Sequence, residues 1–104
     1  MISFIKKMLG LIELDYAELM ERGAIIIDVR TPQEFKQGHV KKAINIPLSD
    51  ISRSVEKIKQ KNKPVITCCR SGARSGNAAA TLKSAGIEVY NGGSWNSVRD
   101  GLRN

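Results

Sequence analysis

The stretch Ala24-Ile25-Ile26-Ile27-Asp28-Val29 is apolar and mostly β-branched, without the alternation of a half-exposed strand. A strand of this kind has both faces covered, as inside a parallel sheet. Parallel neighbours need crossover connections, and helical segments alternate with the remaining apolar runs. Asp15 is placed to N-cap a first helix, with Glu18 three residues on and Leu14 facing Leu19 as a hydrophobic staple. Gly23 suits the position just past its end. Thr31-Pro32-Gln33-Glu34 starts a second, brief helix, with Thr31 as cap, Pro32 at the first helical position and Glu34 closing a capping box. Ala43–Ile46 is a short strand closed by Pro47. Ser49 is expected to cap a third helix with Ile51, Val55 and Ile58 on one apolar stripe. Val65-Ile66-Thr67 is a strand ending at Cys68-Cys69, and the next helix puts Ala78, Leu82 and Ala85 on one face. Ile87–Tyr90 is the last strand, and Ser94 caps a final helix carrying Trp95, Val98 and Leu102 inward. With Leu11-Ile12-Glu13 as a short edge strand, the pattern is α/β. It predicts a mostly parallel five-stranded sheet with helices on both faces.

A chain of 104 residues makes one domain. Residues 1–10 read as a lead-in and 11–104 as the domain. Lys6-Lys7 interrupts the apolar start, so no signal-peptide core forms there, and no stretch approaches a membrane span. The formal charge of +7 speaks to solubility and to attraction of anionic molecules. No nucleic-acid recognition motif accompanies it. The two cysteines are adjacent, without ligand spacing for a metal. Neighbouring Cα atoms lie about 3.8 Å apart, below the roughly 4.4 Å floor of ordinary disulfides. Free thiols suit a reducing compartment, which points to the cytoplasm.

The chemistry concentrates at residues 64–75, where a strand runs through a tight loop into a helix. In such sheets ligands sit beyond the carboxyl ends of the strands, and Cys69 falls at one. Backbone N–H groups at a helix start converge on an anion, and nearby cations lower a thiol's pKa. Ser71, Gly72 and Ala73 leave those groups unobstructed, and Arg70 and Arg74 add fork-shaped donors. The loop reads as a cradle for an anionic sulfur or a small oxyanion held at Cys69.

Cys69-Arg70-Ser71-Gly72-Ala73-Arg74 resembles the active-site loop of the rhodanese family, the sulfurtransferases. Asp28-Val29-Arg30, Glu34-Phe35, Gly38-His39-Val40 and Ala43-Ile44-Asn45-Ile46-Pro47 resemble the family's upstream motif, and Gly92-Gly93-Ser94-Trp95 its C-terminal one. The length fits the single-domain form. The resemblance implies a rhodanese-like fold and transfer of a sulfane sulfur through a persulfide on Cys69, with no cofactor and no metal. The donor would be a small anion such as thiosulfate, the acceptor cyanide, a thiol or a protein, and the enzyme a monomer. Cys69 would be the nucleophile, and Arg70, Ser71, Gly72, Ala73, Arg74 and Ser75 would bind substrate, chiefly through their backbone N–H groups. Arg74 could instead form a salt bridge on the loop's flank, and Arg70 could stand in solvent as an entrance charge. Because side chains alternate across a strand, Cys68 should face the other side of the sheet as core; a resolving thiol is the alternative. Asp28 and Arg30 should bind backbone or each other, His39 should support its loop, and Trp95 should be core or pocket rim. Lys42 stands where the family commonly has glycine, which puts the local turn in question.

Two other readings compete. A cysteine phosphatase or arsenate reductase loop has the form Cys-x5-Arg, but only four residues separate Cys69 from Arg74. Counting from Cys68 restores five, yet places Thr67 where histidine is usual and Ser71 where glycine is. The alternative to both enzymes is a sulfur-carrier or docking module serving a partner protein.

Overall fold

A computed structural model describes residues 14–103 of the chain. Strands β1 (Ile25–Asp28), β2 (Ile44–Asn45), β3 (Val65–Cys69) and β4 (Val89–Ser94) form one sheet in the order β2-β1-β3-β4. All three pairings are parallel. The sheet therefore has four strands among the described residues rather than five. The edge strand read at 11–13 lies outside them, as does the lead-in at 1–10.

Helices α1 (Tyr16–Glu21), α2 (Pro32–Gln37), α3 (Ile51–Gln60), α4 (Ala73–Ser84) and α5 (Trp95–Arg103) connect and cover the strands. Alternation along β1 and β3 sorts the core into two layers. Ile27, Val29, Val65 and Cys69 pack with Ile51 and Ile58 of α3 and Ala78 and Leu82 of α4. Ile26, Ile66 and Cys68 pack on the opposite face with Leu19 of α1 and Val98 of α5. Ile27, Val65 and Ile66 have no exposed surface; burying a side chain of that size stabilises by about 1.5–3 kcal/mol. The continuous apolar run of β1 is thus explained by helices on both sides.

Local signals set most helix starts. Asp15 Oδ1 accepts the Glu18 N–H at 3.1 Å, and Leu14 joins the cluster that contains Leu19. The Thr31 capping box closes from both sides, Glu34 N–H to Thr31 Oγ1 at 3.2 Å and Thr31 N–H to Glu34 Oε1 at 3.0 Å. Ser94 Oγ accepts the Ser97 N–H at 3.1 Å at the head of α5. Ser49 does not cap α3. The chain after Pro47 winds into a short 3-10 turn at Leu48–Asp50, with the Asp50 N–H on Pro47 O at 2.8 Å. That turn moves the cap position to Asp50, which makes no side-chain cap bond.

The last strand also differs from expectation, running from Val89 to Ser94 instead of ending at Tyr90. Its pairing with β3 slips by one residue: Thr67 faces Asn91, whereas Cys69 faces Ser94. The surplus residue is a bulge built at Gly92-Gly93, with Gly93 at φ +83°, a conformation that glycine adopts without steric cost. The bulge lets β4 continue past the end of the apolar run and lie against the Cys69 loop.

Candidate active site

β3 delivers the two cysteines to opposite faces. Cys68 enters the layer beneath α1 and α5, near Asp28 and Arg30. Burial, reinforced by the Asp28 charge, pushes its thiol up to about 12. Cys69 belongs to the other layer and lies at the base of the loop that starts α4. Gly72 makes the turn at φ +106°, and its N–H donates to Cys69 Sγ at 2.9 Å. Ser75, on the first turn of α4, places Oγ 3.3 Å from the same sulfur. Burial opposes a charge on Cys69. The Ser75 hydroxyl and the N–H groups of Ser75, Gly72 and Ser71 outweigh it and bring the thiol below its ordinary value. The residue has no exposed surface: the loop closes over the sulfur it holds.

Of the residues expected at this site, Ser71, Gly72 and Ser75 converge on Cys69. Ala73 is exposed at the helix start, and Arg70 points outward. Arg74 is placed on the loop's flank, where its guanidinium donates to both Glu34 carboxylate oxygens, at 2.8 and 3.1 Å. That fork, with the Thr31 N–H, holds the Glu34 carboxyl down at about 2. Glu34 therefore serves two elements at once, as the capping-box acid of α2 and the partner of the loop arginine.

Alongside the loop lies a cleft of about 460 Å³ lined by Arg30, Glu34, Gln37, Arg70, Trp95 and Asn96. Asp28 and Arg30 bind each other, with Arg30 Nε 2.9 Å from Asp28 Oδ1, and the same guanidinium donates to Gly38 O at 2.6 Å. This pins the Gly38 turn and lays Arg30 over the Trp95 ring at 5.0 Å. Trp95 is thus both half-buried core and rim of the cleft. His39 stacks on Phe35 at 3.7 Å with Nδ1 2.7 Å from Phe35 O, which ties its loop back to the end of α2. Lys42 adopts φ +71°, so the turn keeps the left-handed geometry that glycine would suit. Among the described residues, no three His, Cys, Asp or Glu side chains come together as a metal site, and no helix is long and apolar enough to cross a membrane.

One contributor escaped the sequence reading. Asn91 of β4 reaches the loop, accepting from Ser75 Oγ at 2.7 Å and donating to Gly72 O at 3.1 Å. Its only sequence signal was its place just before Gly92-Gly93, which reads as a loop until the bulge is seen.

Residues 14–98 match the family model of the Rhodanese-like domain. The chain is 46% identical over 71 residues to the uncharacterized protein YqhL of Bacillus subtilis, a match covering 67% of this chain and 56% of that protein. It is 41% identical over 69 residues to the thiosulfate sulfurtransferase PspE of Escherichia coli, covering 64% of this chain and 66% of that one. The chain thus spans less than two thirds of the length of each. Among solved structures, a rhodanese with anions from E. coli superimposes with a TM-score of 0.65 at 36% identity, over 71% of this chain and 89% of that one.

Proposed function

The chain belongs to the rhodanese-like domain family, and from that premise we propose that it is a sulfurtransferase working through a persulfide on Cys69. The observation that carries this reading is the Gly72 N–H aimed at Cys69 Sγ from 2.9 Å, within a loop that favours the thiolate. The thiolate attacks the sulfane sulfur of a donor such as thiosulfate. A Cys69–sulfur bond forms, the donor's S–S bond breaks, and sulfite leaves with its electron pair. Cyanide, a small thiol or a protein thiol then attacks the outer sulfur and returns the Cys69 thiolate. Two half-reactions of this kind give ping-pong kinetics. The amides stabilise negative charge at each stage, so neither a cofactor nor a separate general base is required. Arg70, at the cleft, attracts the anionic donor. Arg74 adds positive charge beside the sulfur while anchored to Glu34. Free thiols suit the reducing conditions of the cytoplasm.

Similarity to an E. coli thiosulfate sulfurtransferase supports the choice of donor. A phosphatase would need the ring counted from Cys68, and that thiol lies on the face of the sheet away from the loop. Intact-mass measurement after incubation with thiosulfate should show a gain of about 32 Da, one sulfur atom, through the covalent step. Cys69→Ser should lose both the gain and thiocyanate formation from thiosulfate and cyanide, while Cys68→Ser keeps them. An unchanged mass in the wild-type protein with thiosulfate and with persulfide donors would overturn the proposal.

A further inference from the structure

The hydroxyl of Ser75 has one proton and more than one claimant. Its oxygen is 3.3 Å from Cys69 Sγ and 2.7 Å from Asn91 Oδ1. The orientation of the Asn91 amide is fixed by two backbone groups. Its oxygen accepts the Gly93 N–H at 2.9 Å, and its nitrogen donates to Gly72 O at 3.1 Å. Turning the amide over would set N–H against N–H and oxygen against oxygen. An amide oxygen can only accept, so the short contact to Ser75 obliges the hydroxyl to donate toward Asn91. What Ser75 then presents to Cys69 is a lone pair, which suits a protonated thiol donating to it and not a thiolate.

We propose that Asn91 is a positioning residue that competes with the Cys69 thiolate for the Ser75 hydroxyl proton, and so sets how readily the nucleophile ionises. In the resting thiol the bonds run in one direction, Cys69 S–H to Ser75 Oγ and Ser75 O–H to Asn91 Oδ1. When the thiol loses its proton to solvent, the Ser75 hydroxyl turns from Asn91 to the sulfur. Asn91 Oδ1 keeps the Gly93 N–H, and no backbone bond of the loop is broken. Ionisation therefore costs one short hydrogen bond that a loop without Asn91 would not have to give up. The other groups around the sulfur are few. Arg74 of α4 is tied to Glu34 of α2, Arg70 points outward, and the Cys68 thiol lies across the strand with Asp28 of β1 and Arg30 just beyond it. The segments β1 and α3 bring Ile27, Ile51 and Ile58 to the layer that holds Cys69, and Thr67 of β3, buried on the same face, donates to Ser75 O at 2.9 Å. On the β4 side stand Asn91, the two glycines of the bulge and Ser94, which pairs with Cys69 and whose hydroxyl is engaged with Ser97.

This inference deepens the reading of Cys69 as nucleophile and rests on it. Its test reads the thiol directly: the pH dependence of alkylation of Cys69 by iodoacetamide in the full chain, with the modified site assigned by mass spectrometry. Asn91→Ala should lower the Cys69 midpoint by about half to one pH unit, the size expected for one ordinary hydrogen bond. Ser75→Ala should raise it. In the Ser75→Ala background, Asn91→Ala should produce no further lowering, because the contested proton is gone. Asn91→Asp, which keeps the acceptor and adds negative charge, should raise the midpoint. A midpoint that rises in Asn91→Ala, or one that falls equally with and without Ser75, would overturn the proposal in favour of a merely structural asparagine. Sulfur loading is read separately, by mass on the wild-type chain, so this inference can fail while the reading of Cys69 as nucleophile stands, and the reverse.

Discussion

At the scale of single residues, alternation sends two neighbours in one strand into different surroundings, and those surroundings give them opposite character. Cys68 and Cys69 could be told apart in the sequence because a strand must send them to different faces. Arg74 was less legible: its partner Glu34 is forty positions away, and no local pattern announces that the two meet. Lys42 shows a residue-scale cost directly. At φ +71° a side chain crowds the following carbonyl. Lys42→Gly should relieve that crowding, partly offset by glycine's greater freedom when unfolded, for a net gain of about 0.5–1 kcal/mol. A thermal melt should show the midpoint rising by a few degrees, and an unchanged or lower Tm would mean the turn carries no strain.

At the scale of elements, the caps of α1, α2 and α5 were readable because each uses a side chain three residues from its partner. The end of β4 was not, since Gly92-Gly93 normally punctuates a loop and here makes a bulge within a strand. Close approach dictates Gly92: a Cβ there would lie 2.5 Å from Val98 Cγ2 and 2.9 Å from Thr67 O. Backbone on one side and α5 on the other leave little room to yield. Gly92→Ala should cost about 1–3 kcal/mol, as overpacking does elsewhere, read as a lower urea midpoint with an unchanged m-value. Gly86→Ala is the comparison: its Cβ would meet nothing within 4 Å, so only the positive φ should count against it and its loss should be smaller.

At the scale of the whole molecule, two carboxylates tie distant segments together. Glu34 joins α2 to the head of α4, and Glu88 joins the β4 lead to α1 through Arg22 at 2.9 Å. Both titrate near 2 instead of the ordinary 4.5, Glu34 mainly because of Arg74 and Glu88 mainly because of Arg22. A carboxyl with a depressed pKa in the fold contributes stability above its unfolded value and loses it as the proton binds. Tm should therefore hold down to about pH 4.5 and fall between there and pH 2, and Glu34→Gln with Glu88→Gln should flatten that slope. Equal slopes in wild type and double variant would show these pairs to be passive. The architecture was legible as a whole because strand and helix periods differ so plainly; its closing contacts were not, because they join chain segments tens of residues apart. The burial of Cys68 on the far side of β3 has one more outcome. A single thickness of backbone partitions the two sulfurs, so Cys68 is not placed to discharge a sulfur carried at position 69. Under the persulfide mechanism proposed above, unloading waits for an acceptor from outside, and its rate should track that acceptor's concentration and ignore the redox state of residue 68.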